Sequence, residues 1–343
     1  MDAFILQMLN GLDKGSAYAL IALGLTLIFG TLGVVNFAHG ALFMIGAFCA
    51  VTLSKLLAFS FETIDETQKD FLGNPLKVET PYVEAWFGPN LGGAIIDWSV
   101  PLAILFAIPI MILIGFAMER GLIKHFYKRP HADQILVTFG LAIVLQEIIK
   151  YFYGANPIPT PAPDTFRGSF DLGAVVGFDP NVIIYPLWRM VYFLFSVAVI
   201  AAIFGFLQFT TFGMVVRAGM VDRETVGMLG INIDKRFTIM FGIAAAVAGL
   251  AGVMYAPINP PNYHMGMDFL VLSFVVVVVG GMGSLPGAVL AGFLLGILES
   301  FASTTWATTT IPGINQIIIY VVAIIVLLTR PRGLMGRKGV MEE

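Results

Sequence analysis

The sequence predicts an all-α polytopic membrane protein with about eight or nine transmembrane segments and two broken or short-helix regions. Three observations predict it. The 343 residues are 58% hydrophobic and 12% charged, with mean hydropathy +0.87, where a soluble domain carries about 25% charged residues. The apolar runs are long and continuous, whereas barrel strands alternate over about 10 residues. A polar pentapeptide, Asn36-Phe37-Ala38-His39-Gly40, and a glycine-rich stretch at 280–288 break those runs.

Apolar segments fall at roughly 16–35, 41–59, 99–118, 134–153, 185–207, 237–257, 269–280, 286–300 and 313–329. A span needs about 20 apolar residues. The pieces at 269–280 and 286–300 are short for that, and read either as two short helices or as one broken, re-entrant unit. The N-terminus lacks cleavable signal character: Asp2 and Asp13 outnumber Lys14, and the apolar run that follows is too long. The first membrane helix is expected to drive insertion. The whole of 1–343 reads as one transmembrane domain.

Charge placement sets orientation. Arg120, Lys124, Lys128 and Arg129 lie in loop 119–133; Arg217, Arg223, Lys235 and Arg236 lie in loop 208–236; Arg330, Arg332, Arg337 and Lys338 lie in the tail. These make 12 of the 19 basic residues. Loop 60–98 holds Lys69 and Lys77 against seven acids, and loop 154–184 holds Arg167 alone. The two sets alternate across the spans. The basic loops and the C-terminus are expected in the cytoplasm, the acidic loops and the N-terminus outside. Loop 60–98, with Tyr82, Trp86 and Phe87 among Pro75, Pro81 and Pro89, reads as a packed surface cap or as part of a docking surface for an external partner.

The chain has no phosphate-binding G-x-x-x-x-G-K-[ST] loop, no G-x-G-x-x-G after a strand, no H-E-x-x-H and no metal-spaced Cys/His cluster. Its single cysteine, Cys49, sits in an apolar run and reads as a small core residue. No cofactor, no metal and no nucleic-acid partner is expected, and no catalytic residue set converges. If ATP drives this protein, another chain must hydrolyse it.

Lipid-facing backbone must satisfy its own hydrogen bonds, so a polar break should face protein or water. At the first break, Asn36 donates and accepts, His39 does either, and Gly40 permits a sharp turn and close approach. Gly46 and Ala47 beyond it are small enough for close helix packing. The alternatives are a surface helix–helix turn and a site on a solute path. At the second, Gly280, Gly281, Met282, Gly283, Ser284 and Pro286 follow a valine run and precede a Gly/Ala-rich stretch. Their backbone groups are expected to be free of helical pairing and to face protein or a water-lined cavity. Paired interrupted helices point to a central translocation site.

In loop 208–236, Val221–Leu229 reads as a short amphipathic helix ending at Gly230, a C-cap residue. Asp222, Arg223 and Glu224 are its polar face; Val226, Met228 and Leu229 form an apolar tip. That suits docking into a partner's groove, or a helix lying on the membrane. Intramembrane charge is sparse: Glu147, Lys150, Arg189 and Glu299 sit near helix ends, with Glu147 and Lys150 at i, i+3 spacing. No chain of buried acids is expected, which argues against a proton-driven carrier.

The run Asn36-Phe37-Ala38-His39-Gly40-Ala41-Leu42-Phe43-Met44-Ile45-Gly46-Ala47 resembles the signature of branched-chain amino-acid ABC importer permeases of the LivH type. Gly15, Tyr18, Ala19, Leu20, Leu23, Gly24 and Leu25 fit that family's first helix. Arg217-Ala218 and Leu229-Gly230-Ile231-Asn232 look like its ATPase-coupling loop, Gly280–Ser284 through Gly287-Ala288 its late break, and Arg330-Pro331 with Gly333 and Gly336 its C-terminal end. The resemblance spans the chain except loop 60–98. Val226 and Glu224 depart from the coupling pattern, where alanine and a basic residue are expected.

The resemblance implies an ABC importer permease fold in the bacterial inner membrane. It implies a LivM-type second permease, two cytoplasmic ABC ATPases and a periplasmic binding protein delivering leucine, isoleucine or valine. It also implies a substrate pathway at Asn36, Phe37, His39, Gly40 and Gly280–Ser284, and ATPase coupling through Arg217, Ala218, Asp222, Arg223, Glu224, Leu229 and Gly230. A urea or short-chain amide permease shares much of the pattern, and a stand-alone carrier is the alternative from another class.

Overall fold

A computed structural model describes residues 2–69, 75–127, 129–173 and 183–336. Among these, α1 (Asp2–Leu32), α2 (His39–Leu57), a β-hairpin of β1 (Ser60–Lys69) and β2 (Pro75–Pro81), α3 (Tyr82–Phe87), α4 (Pro89–Asp97), α5 (Ser99–Gly121) and α6 (His131–Tyr153) form the first half. Then come β3 (Ser169–Asp171), β4 (Ile184–Pro186), α7 (Leu187–Phe209), α8 (Thr211–Val221), α9 (Arg223–Met228), α10 (Ile233–Tyr255), α11 (Met265–Gly280), α12 (Leu285–Ala302), α13 (Thr305–Thr310) and α14 (Ile314–Thr329). Lys128, Arg337 and Lys338, used above for orientation, lie outside the described residues.

Each of the nine expected apolar segments is a helix. Seven helices among the described residues are long and apolar enough to cross a membrane; α11 and α14, at 16 residues each, are shorter. The piece beginning at 286 is thus a full-length candidate span, and 265–302 is two helices joined by a tight turn. The chain is a multi-pass membrane protein.

The bundle is built around α1 and α10, whose apolar stretches are 89% and 83% buried, while that of α6 is 11% buried. Small residues bring the central backbones together. A Cβ on Gly15 would lie 2.8 Å from the Phe293 Cα, and one on Gly292 2.7 Å from the Ala19 Cα, so α1 and α12 touch along their length. Gly46 packs directly on Gly249, and Gly252 on the Phe43 carbonyl, which joins α2 to α10.

Residues 60–98 form local structure of their own. The hairpin pairs Ser60 with Pro81 and Ile64 with Lys77, Tyr82 stacks on Phe59 with ring centroids 5.6 Å apart, and Trp86 and Phe87 stay exposed.

The expected scarcity of buried acids needs correction. Asp13 and Glu119 are 3% and 2% exposed, and Glu299 is mostly covered. Each has a reason to be inside. Glu299 meets Lys14 at 2.8 Å and the Tyr18 hydroxyl at 2.5 Å. Asp13 lies 3.7 Å from Arg189, which also donates to Asn10 at 3.2 Å. Glu119 accepts from the hydroxyls of Tyr127 (2.5 Å) and Thr238 (2.9 Å). The Asp13 and Glu299 groups adjoin through Lys14, whereas Glu119 has partners of its own.

Candidate functional site

α1 ends where Gly33 turns at φ +66° and donates to the Phe29 carbonyl at 2.8 Å. The chain then re-enters the bundle. The Asn36 side-chain oxygen accepts from the Ala38 N–H at 3.0 Å and its carbonyl from the His39 N–H at 3.3 Å, an Asx-type turn that starts α2. A Cβ placed on Gly24 would lie 2.6 Å from His39 Nε2 and 3.0 Å from the Ala244 carbonyl. Gly24 is eight residues before the end of α1, or about 12 Å at 1.5 Å per residue. The break is therefore deep in the bundle, not a turn at its surface.

The break has two sides. His39 is fully buried toward α1 and α10 beside the Ile21 backbone, and the Asn36 amide nitrogen has no hydrogen-bond partner. Phe37 faces the other way, its ring 5.3 Å from Phe274 on α11 and 6.4 Å from Phe139 on α6. Its N–H donates to the Thr138 hydroxyl at 3.0 Å. Gly40 leaves no room for a Cβ against the Gly266 carbonyl and Leu270.

The second break is a turn between α11 and α12 at the opposite end of α11. Gly281 and Gly283 hold φ of +103° and +83°, and Ser284 caps α12 by accepting from the Gly287 N–H at 3.3 Å. Of the two expected surroundings, protein or a water-lined cavity, these backbone groups meet protein, the chain's own tail: Leu334 N–H donates to the Val279 carbonyl at 2.8 Å and Met335 N–H to that of Gly280 at 3.0 Å. Met282 is exposed. The two breaks do not form one cluster. They flank the last turns of α1, His39 at Gly24 and Gly283 at Gly30.

The helix expected over 221–229 is shorter, Arg223–Met228. Asp222 caps it, accepting from the Thr225 N–H at 2.9 Å and from the Thr225 hydroxyl. Those bonds hold the Asp222 carboxyl below its ordinary value. Gly230 follows at φ +79°, and Asn232 caps α10 by accepting from the Lys235 N–H at 3.0 Å. Val226 corrects the expected apolar tip: it is buried, whereas Val221, Met228 and Leu229 are 80%, 76% and 74% exposed. Arg223 pairs with Asp234 and lies over the rings of Phe237 (5.2 Å) and Tyr127 (6.0 Å). Arg217 instead donates to Gln208. Ala218 accepts the Asp222 N–H at 3.0 Å, closing α8; Glu224 is exposed.

Sequence reasoning missed Glu119 and Thr138. Glu119 was hidden among loop charges. Thr138 had a signal: it lies four residues after Gln134 and eight before Gln146, on one ridge of an otherwise apolar helix.

The family described as "Branched-chain amino acid transport system / permease component" matches residues 7–327. The high-affinity branched-chain amino acid transport system permease protein LivH of Escherichia coli is 28% identical over 342 residues, covering 98% of this chain and 97% of that protein. The corresponding permease protein BraD of Pseudomonas aeruginosa is 29% identical over 353 residues, again covering 98% and 97%. The ribose import permease protein RbsC of Haemophilus influenzae is 25% identical over 209 residues, 57% of this chain and 61% of that one. No solved structure matches the chain.

Proposed function

The chain belongs to the branched-chain amino acid transport system permease component family, and from that premise we propose that it is the permease subunit of an ATP-driven importer carrying leucine, isoleucine or valine inward across a bacterial inner membrane. Relatives named as high-affinity branched-chain amino acid transport system permease proteins match almost end to end. The observation that carries the mechanism is the exposed apolar tip Met228–Leu229 on a capped helix between α8 and α10.

In this reading two cytoplasmic ABC ATPases receive that tip in a groove. Residues 217, 218, 222–224, 229 and 230 form or shape the contact. A LivM-type permease pairs with this chain, and a periplasmic binding protein meets the outer face, where Trp86 and Phe87 are exposed. The C-terminus lies in the cytoplasm with the basic loops. ATP binding moves α9, and the movement passes to α10 through the Arg223–Asp234 pair. The solute passes the first break, Asn36 to Gly40, where the N-terminal end of α2 offers its dipole to a carboxylate. Gly280–Ser284 shapes the cytoplasmic end.

The test is ATPase activity of the reconstituted complex with binding protein and leucine, isoleucine, valine or urea in turn. Stimulation by a branched-chain amino acid supports the reading. Stimulation by urea alone overturns the substrate, and failure of any ATPase to co-purify overturns the coupling.

A further inference from the structure

α6 is built inside out. Its exposed face is apolar, with Leu136, Val144, Ile148 and Phe152 at the surface. Its opposite ridge, at four-residue spacing, is Gln134, Thr138 and Ala142, all buried, then half-covered Gln146 and part-exposed Lys150. Lipid contact accounts for the apolar face. It does not account for a polar ridge turned toward α2 and α11, because a polar group within a bundle is retained only with partners or water.

The ridge meets different surroundings along its length, which is about 24 Å for 16 residues. Near the basic-loop end, the Gln134 amide donates to the Phe126 and Arg129 carbonyls, both at 3.1 Å. One turn on, Thr138 holds the Phe37 N–H of the first break. Next comes a narrow gap lined by Ala41, Met44, Ala142, Gln146, Gly266 and Met267, too small for water in this conformation. The Gln146 side-chain oxygen is buried without a partner, and its amide nitrogen makes only a long contact, 3.4 Å, to the His264 ring. At the far end Glu147 and Lys150 pair at 3.3 Å, and the Lys150 ammonium lies 5.1 Å from the centre of the Tyr263 ring.

We propose that the seam between α6 and the α2–α11 pair is the solute route: Glu147 and Lys150 receive the ammonium and carboxylate of a zwitterionic amino acid, and the apolar gap at Ala142 is a closed gate beside which Gln146 offers the polar contact. The inference rests on the amino-acid permease reading above and gives that reading its outer half. The Glu147–Lys150 pair suits a receptor because both side chains are part-exposed, and such pairs hold each other weakly. A zwitterion replaces both partners at once. Cation–π attraction to Tyr263 holds the Lys150 ammonium in place meanwhile. The gap's apolar lining suits an aliphatic side chain, and closure by apolar contact excludes water and ions. The route then arrives at Thr138 and the first break.

The chain's single thiol makes the test direct. In a Cys49→Ala background, Gln146→Cys and Val144→Cys are each assembled with the partner subunits. A membrane-impermeant methanethiosulfonate is added from outside during ATP turnover. Gln146→Cys should react, and leucine at about ten times its half-saturating concentration should slow the reaction about tenfold, the share of complexes left empty. Val144→Cys, on the exposed face, should not react. As a second variant, Ala142→Leu should lower leucine uptake about tenfold with assembly unchanged, by overfilling the gap, while Val144→Leu leaves uptake within about twofold, as surface changes do. Equal reactivity at 144 and 146, or no protection by leucine in a complex that transports leucine, overturns the seam and leaves the permease reading standing. A parent complex that transports no branched-chain amino acid overturns that reading and the seam's occupant together.

Discussion

His39 on α2 occupies the space that a side chain on Gly24 of α1 would need: a methyl group there would lie 2.6 Å from the imidazole Nε2 and 2.9 Å from Cε1. The two residues are 15 apart in sequence, yet their contact fixes how deep α2 begins. Gly24→Ala should therefore destabilise the protein by about 1–3 kcal/mol, the range for overfilling a packed interior. Adding His39→Ala should recover part of the loss, because the Ala244 carbonyl still lies 3.0 Å from the new methyl. Thermal melting of the purified chain with both single variants and the double reads the coupling. Strict additivity would refute the contact.

Glu119 serves two hydroxyls from different elements, Tyr127 and Thr238. Removing its carboxylate orphans the half-buried Tyr127 hydroxyl, whereas Thr238 keeps the Asp234 carbonyl at 3.1 Å. Glu119→Ala should cost about 1–3 kcal/mol for that one orphaned group. Glu119→Gln retains one acceptor oxygen and should cost less than Glu119→Ala. Because Arg223 lies over Tyr127, Glu119→Ala should also loosen α9, visible as faster amide exchange at residues 223–228. Unchanged exchange there would separate Glu119 from the coupling loop.

The nine apolar helices were legible because hydropathy is a local property, and each expected segment overlaps its helix. Boundaries were less so. α1 starts at Asp2 rather than near 16, because Asp13 and Lys14 find partners on α7 and α12, and no window of hydropathy contains that information. The Asp222 cap was visible as an aspartate before the short helix, and would have moved its start from 221 to 223. By sequence Val226 reads as part of the apolar tip because the helix is too short for periodicity to assign a face. The depth of the first break and the capping of Val279 and Gly280 by Leu334 and Met335 rest on long-range contacts, and sequence pattern alone does not show them. The α6 ridge was fully written in the sequence: Gln134, Thr138, Gln146 and Lys150 share a spacing that apolar counting overlooks.

The exposed residues of the coupling helix divide from the buried one in what they should do. Met228→Asp or Leu229→Asp should leave the melting temperature of this chain within the small range of surface changes, about 0.5 kcal/mol. Either should sharply reduce co-purification of ATPase subunits, since an apolar anchor is lost and a charge enters the groove. Val226→Ala should do the reverse. It removes two buried carbon groups, worth about 1.5 kcal/mol, and should lower stability while partner binding changes little. Loss of ATPase capture by Val226→Ala alone, with Met228→Asp silent, would place the docking surface elsewhere.

The tail closes the turn between α11 and α12 through two backbone donors, and this can be tested one hydrogen at a time. Leu334→Pro removes the N–H that the Val279 carbonyl accepts at 2.8 Å, and Val279 is fully buried. Leu334→Ala keeps that N–H and trims only the side chain. The proline variant should therefore be less stable than the alanine variant by about 1–3 kcal/mol, the cost of leaving a buried acceptor unmade. Gly281→Ala should be worse than either. Its φ of +103° is one that only glycine holds without strain, and its Cβ would meet Gly336 N at 2.5 Å. Because Gly283 packs toward Gly30 and Gly30 toward Met220 of α8, loosening this turn should also weaken ATPase stimulation by substrate while the subunits still co-purify. Equal stability of Leu334→Pro and Leu334→Ala would mean that water at the turn replaces the tail's N–H without loss.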